Sequence, residues 1–224
     1  MKPPEPVILN WHEIAAAPEA AGIYAWYFKP ELTDYDIDSL VAELNENEGK
    51  SSETYCRDLV RSFLKKRIFR YFEQKPYLVE LSGQLKPRYR GEIEHQPDLD
   101  LSDVLIDRIL KDPSRLNKLK VPLSITTPMF ASPLYIGMAD RLRTRLASHK
   151  KLISSLENSD FYNSTFFADY ELSLSEKNFA ERVKAREIPS SRLFVVAQVI
   201  SPPSDPNDVE NILNRIYFPV LGRN

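Results

Sequence analysis

Apolar and polar positions along the chain alternate with two periods, which marks out a mixed set of strands and helices. The segment AGIYAWYF (21–28) is aromatic and β-branched with a glycine near its start, the composition of a strand. Alternation sends Ile23, Ala25 and Tyr27 to one face and Tyr24, Trp26 and Phe28 to the other. SPLYIG (132–137) reads as a second short strand ending at a glycine. RLFVVAQVI (192–200) is a nearly continuous apolar run, as a strand buried on both faces would be. Helical spacing is clearest over 52–74, where Tyr55, Leu59, Val60, Phe63, Leu64, Ile68 and Phe72 recur on one side. The other side of that helix carries Arg57, Arg61, Lys65, Lys66 and Arg70. Shorter helices are predicted at 37–44, from Ser102 to near Asp112, at 139–156 and at 176–187. A last helix follows Asp205 as cap and Pro206 as first residue, with Val209, Ile212, Leu213 and Ile216 as its apolar face. Residues 77–94 read as a hairpin or two short strands, 7–20 as a polar stretch with a small-residue run, and 121–133 as a proline-bearing connection.

Composition narrows the classes. A chain of 224 residues is one large domain or two small ones, and 42% hydrophobic with 28% charged residues is globular rather than disordered. The single cysteine, Cys56, excludes an internal disulfide framework and a Cys-based zinc finger. No apolar run approaches a membrane span, and prolines stand near the start where a secretion signal needs an apolar stretch. A soluble, intracellular, cytoplasmic protein with no membrane partner is the expectation. Thirty basic residues against 32 acidic ones give a net charge of -2, which argues against a generic polyanion binder but allows a local basic cleft.

Three pieces in order carry chemistry: Gly22-Ile23-Tyr24, Tyr135-Ile136-Gly137, and a helix bearing Arg145 and His149. A fourth is Glu210 in the last helix. Each tripeptide is expected by chance in roughly 3% of chains this long, and both together in roughly one in a thousand. The constellation resembles the GIY-YIG nuclease superfamily. That resemblance implies an α+β fold with a small three-stranded antiparallel sheet flanked by helices and the tripeptides on its first two strands. It implies an arginine on the following helix ten residues beyond the second strand's tyrosine, where Arg145 stands, and a histidine one turn later, matching His149. It assigns the metal-binding glutamate to Glu210 and a closing proline and asparagine to Pro219 and Asn224. The match covers 18–28, 132–150 and 190–224, roughly a third of the chain. It departs from the family in the hundred or so residues between the tripeptides, where a short turn is usual, and in a slightly late asparagine.

These residue types suit phosphodiester hydrolysis, in which water attacks phosphorus in line and charge builds on the phosphoryl oxygens. Glu210 would hold one divalent ion, Mg²⁺ or Mn²⁺, which keeps most of its waters. Arg145 offers a fixed fork of donors. Tyr24 is expected to act as general base or to orient the water, with a nearby cation depressing its pKa. His149 is expected to relay the proton and Tyr135 to hydrogen-bond the phosphate or water. Arg141, Arg145 and His149 are spaced i, i+4, i+8 and are expected to line one helix face.

Taken singly, the tyrosines are ordinary sheet residues, Arg145 and His149 a solvated helix face, and Glu210 a carboxylate that favours a helix N-terminus. His12 and His95 have no partner at ligand spacing. The domain expectation is a nuclease core of 1–28 with 132–224, and a mainly helical insertion at 29–131 for target recognition or dimerisation. Arg61, Lys65, Arg70, Arg88, Arg90 and Arg141 are candidates for phosphate contact with double-stranded DNA. The acidic stretches 31–48 and 92–107 would then face away from it. The expected function is a metal-dependent DNA endonuclease, restriction-like or homing-type, with a homodimer as one use of the insertion. Alternatives are a nucleic-acid-binding, repair or mobile-element protein with an inactive core, and a protein-interaction module in which the tripeptides coincide by chance. Adjacent strands for Tyr24 and Tyr135 discriminate against the last.

Overall fold

The computed structural model describes residues 4–47, 51–69, 101–157, 178–219 and 221–222, and the backbone of 77–81 and 89–93. The architecture is α+β. In chain order the elements begin with β1 (Val7–Asn10), a 3₁₀ turn (Trp11–Ala16) and β2 (Gly22–Phe28). Then come α1 (Asp34–Glu46), α2 (Glu53–Leu64) with a π-helical turn at Lys65–Phe69, β3 (Tyr77–Leu81) and β4 (Tyr89–Ile93). They are followed by α3 (Asp103–Lys111), α4 (Arg115–Phe130), β5 (Tyr135–Ala139) and α5 (Leu142–Glu157). The chain continues through α6 (Phe179–Ala185), β6 (Leu193–Val199) and α7 (Pro206–Tyr217). It divides into two compact units, Met1–Lys29 with Thr126–Asn224, and Pro30–Ile125.

The first unit is built on an antiparallel sheet of four strands in the order β1-β6-β2-β5. Three strands are expected from the sequence; the fourth is β1, whose apolar VIL is too short to stand out beside the prolines before it. Its Val7, Ile8 and Leu9 pair with Ala197, Val196 and Val195 of β6. β6 therefore lies between two strands, which is why its sequence is apolar almost throughout. β2 sits between β6 and β5, with Tyr24 opposite Ala197 on one side and Gly137 on the other. Two small residues flanking a tyrosine leave the face clear for its ring.

Helix α5 is tied to the loop before β2. Its first amide, from Leu142, donates to the Ala20 carbonyl at 3.0 Å, and that of Arg143 donates to Pro18 at 3.1 Å. These are amides that have no partner inside their own helix. The Arg143 side chain adds Nε to the Ala17 carbonyl at 2.8 Å and Nη1 to Glu19 at 2.9 Å. Leu142, Leu146, His149 and Ile153 are the buried face. Asp205 caps α7 by accepting from the Asn207 amide, with Pro206 in the first turn as the sequence predicts.

The second unit has its own core of Leu32, Ile37, Leu40, Val60, Leu64, Ile106 and their neighbours. Its hairpin pairs β3 with β4, Val79 opposite Gly91. The proline-bearing connection at 121–133 proves to be largely helix: α4 continues through Pro122 and Pro128. An interior proline costs about 3 kcal/mol, and the packing of Leu116, Leu119 and Leu123 on the core holds the first half regardless. The acidic residues near α3 do not turn away from the basic helix. Arg57 bridges Asp103 at 2.9 Å and Asp107, and Arg61 bridges Asp58 at 3.1 Å and also Asp103. These pairs commit Arg61 inside its own unit.

Gly22 has a steric reason. A Cβ there would lie 2.2 Å from the Gln198 carbonyl oxygen and 2.9 Å from Leu142 Cδ1. Gly22→Ala is expected to destabilise the first unit by about 1–3 kcal/mol, the usual range for overpacking, measured as a drop in the urea midpoint. An unchanged midpoint would rule out this close approach of β2, β6 and α5.

Candidate active site

Tyr24 is 1% exposed, so its phenol must find partners inside the protein. Two reach it. Its oxygen lies 2.8 Å from His149 Nε2 and accepts from Arg145 Nε at 3.3 Å. The guanidinium can only donate, and Nε2 accepts the phenol's proton in the tautomer that carries its own proton on Nδ1. Tyr135 completes the group, its ring centroid 6.1 Å from that of Tyr24 and 6.0 Å from His149. Gly137 makes this possible: a Cβ there would stand 2.7 Å from the Tyr24 oxygen and 2.8 Å from Tyr135 Cε1. Both glycines of the tripeptides are thus space requirements of the tyrosine cluster and its helix.

His149 is enclosed by aromatic rings, with Trp26 at 6.2 Å and Phe179 at 5.4 Å between centroids, both edge-on. Burial, with the Arg145 charge adding to it, lowers its pKa from 6.5 to about 4. It is a neutral base at physiological pH. Burial also pushes the Tyr24 phenol well above its ordinary value, and the Tyr135 phenol adds to this. The sequence-based expectation that a nearby cation depresses the Tyr24 pKa is therefore corrected. Arg145 does act in that direction, but desolvation outweighs it. Arg145's own pKa rises, chiefly through its hydrogen bond to Tyr24.

The structure brings Tyr24, Tyr135, Arg145 and His149 together. Arg145 and His149, one turn apart, both reach Tyr24 and line one pocket, whereas Arg141 is exposed just before α5 and is not among that lining. At 3.6 residues per turn each step of four advances about 40°, and two steps carry the third residue into the core. Glu210 is half-buried in the second turn of α7, a helix packed chiefly along β5 and also on β2. Tyr217 at the end of α7 is close enough to Tyr27 to raise its phenol pKa, after burial. Glu210 is not among the lining of the pocket beside Tyr135 and Arg145.

That pocket, of about 80 Å³, is walled on its far side by Asn178, Phe179, Arg182 and Leu221, residues the sequence reading did not single out. A phenylalanine and an arginine three apart on a short helix carry no signal of their own. Pro219 is buried after α7. Lys65 is exposed in the other unit, and Arg90 lies in β4. Arg70, Arg88, Asn224 and His95 lie outside the described residues, as does the side chain of Arg90.

A histidine buried neutral takes up a proton on unfolding anywhere between its two pKa values. Stability should therefore rise with pH from about 4 to 6.5, and the His149 share amounts to roughly 3 kcal/mol. His149→Gln keeps an acceptor for Tyr24 but cannot titrate. Urea unfolding at pH 6.5 and 4.5 should show a markedly flatter pH dependence in this variant, whereas equal slopes would show that His149 titrates normally in the folded state.

No protein-family model matches this chain, and no curated protein or solved structure matches it.

Proposed function

We propose that this chain is a metal-dependent endonuclease that hydrolyses phosphodiester bonds in DNA on a GIY-YIG-like core, to which β1 adds a fourth strand. One observation carries the reading. The two tripeptides pair on adjacent antiparallel strands, Tyr24 opposite Gly137, and Tyr24 is hydrogen-bonded to the Arg and the His of the following helix.

The proton path follows from those bonds. The attacking water gives a proton to the Tyr24 oxygen while Tyr24 passes its own to His149 Nε2, so no free phenolate is needed. A neutral His149 has a lone pair to receive it, and its lowered pKa makes it a weak base that returns the proton readily. Arg145 donates to the oxygens on which charge develops, and Tyr135 hydrogen-bonds the phosphate or the water.

A divalent cation fits the residues of α7. Asn214 Oδ1 is buried with no hydrogen-bond partner, and it stands one helical turn from Glu210. A carboxylate and an orphaned amide oxygen at that spacing are hard donors of the kind Mg²⁺ or Mn²⁺ takes, with water filling the other positions. Among the described residues no group of three or more His, Cys, Asp or Glu could hold a metal ion, so an ion on Glu210 would keep most of its waters. When bound, the ion would stabilise the leaving oxygen and neutralise phosphate charge.

The unit Pro30–Ile125 is read as the part that adds recognition or dimerisation surface, since contacts to phosphate alone carry no sequence information. The pairing of Arg61 with Asp58 and Asp103 removes it from the preferred phosphate contacts; the exposed Lys65 remains one.

Purified protein should nick plasmid DNA with Mg²⁺ or Mn²⁺ and not with EDTA. Tyr24→Phe and Arg145→Ala should each lower the rate by about 10²–10⁴-fold. A pure, folded protein that nicks nothing with either ion would sink the endonuclease reading. Glu210→Ala should abolish cleavage with little loss of DNA affinity or folding stability, since a half-buried residue contributes little packing. Cleavage at the wild-type rate in that variant would remove Glu210 from the metal site.

A further inference from the structure

We propose that the outward face of α7 is the interface of a homodimer, formed when this helix packs antiparallel against α7 of a second copy of the chain. The inference makes no use of the endonuclease reading.

The apolar side of α7 is wider than the sheet it covers. Val209 and Leu213 are half-buried in a helix packed along β5 and β2, whereas Ile212 and Ile216 are 58% and 61% exposed. Tyr217 and Phe218 extend the exposed stretch at the C-terminal end. Single apolar residues on a surface are normal, but four large ones from Ile212 to Phe218 form a patch. Phe218 sharpens the point. It holds the left-handed backbone at the helix end, with φ 42° and ψ 60°, a place that suits glycine because a Cβ is crowded there. Its side chain is nevertheless 73% exposed. An aromatic held in a costly conformation, and covered by little of its own chain, has its use outside that chain.

The charges on this face point to the occupant. Asp208, Ile212 and Arg215 are spaced i, i+4, i+7, and all three are exposed. Asp208 has no ion pair among the described residues, and Arg215 reaches only the Asn211 carbonyl of its own helix, at 3.4 Å. Opposite charges on either side of Ile212 make the face complementary to itself turned end for end. A two-fold axis near Ile212 sets Asp208 of each copy beside Arg215 of the other. The same offset brings Ile216 beside Val209 and sets Phe218 level with Pro206. At 1.5 Å of rise per residue the three matches agree to within about 3 Å along the helix. A uniformly charged partner or a lipid surface would match one sign of charge; a second copy matches both. Glu210 lies about 160° round the helix from Ile212, so association leaves the candidate metal ligand on the other side.

Sedimentation equilibrium of the full chain, at loadings rising to about 100 μM, is the test. The mass should climb from one chain toward two. Ile212→Glu sets two carboxylates face to face near the axis and should abolish association. Because Ile212 is exposed, the urea midpoint at high dilution, where the wild type is also a single chain, should not move. Asp208→Arg and Arg215→Asp should each weaken the dimer by roughly ten- to hundred-fold, since each turns two attractive contacts into two repulsive ones. The double reversal should restore most of the wild-type affinity. For the helix dipole it is the worst of the three, with a cation in the first turn and an anion in the last, so recovery has to come across the interface. Phe218→Gly should leave the dilute urea midpoint no lower, because glycine suits the left-handed backbone, yet weaken association by about tenfold. A wild type that keeps the mass of one chain throughout overturns the interface, as does a folded Ile212→Glu that still dimerises. A double reversal no tighter than either single variant overturns the antiparallel pairing.

Discussion

The oxygen of Tyr24 is where the first unit's demands meet. A buried phenol costs free energy unless its polar atoms find partners, and here His149 lies within hydrogen-bond distance while Arg145 donates to the oxygen. Each partner in turn needs a fixed helix, and α5 is fixed by the amides and the Arg143 side chain that bind the loop before β2. The ring itself needs the gap opened by Gly137 and Ala197. Remove any one of these and the others lose their reason to be where they are. The same closure that satisfies the hydrogen bonds also excludes water, and this exclusion leaves His149 neutral and Tyr24 protonated. Structure and acid–base character share one cause.

Much of this was legible in the residues. The strands at 21–28 and 192–200 announce themselves because β-branched and aromatic side chains suit a pleated, covered surface, and the Asp205-Pro206 start of α7 is a local signal that needs no tertiary context. What stayed hidden depends on partners distant in sequence. β1 has too few residues to show a period and exists because β6 offers it an edge. α4 runs through Pro122 because its leucines have a core to meet. The Tyr24 pKa was expected to fall because a cation stands nearby, whereas burial, which no single sequence position reports, decides the direction. Arg141 was expected beside His149, but the 3.6-residue turn rotates steps of four out of alignment. Arg182 and Leu221 line the pocket from segments whose spacing says nothing.

The charges of the second unit show the same limit. A basic helix face in a sequence invites a polyanion, but beyond Glu53 and Asp58 on the same helix, the acids that pair with Arg57 and Arg61 are Asp103 and Asp107, more than forty residues onward. Charge counted along a chain is not charge presented by a fold, and a net of -2 conceals a paired network of arginines and aspartates.

The strand order has a consequence for how the molecule is made. β2 pairs on one side with β5 and on the other with β6, and β1 pairs only with β6, so Val7 waits for Ala197. Tyr24 and His149 are 125 residues apart. Contacts this distant in sequence close slowly, because loop entropy is lost before they repay it. The unit Pro30–Ile125, by contrast, draws its core from one continuous stretch and can fold as it leaves the ribosome. Throughout that interval the first two strands have bare hydrogen-bonding edges, the kind of surface that associates wrongly when left waiting. Synthesis therefore delivers the finished appendage before its host, and the candidate active site is among the last things the chain assembles.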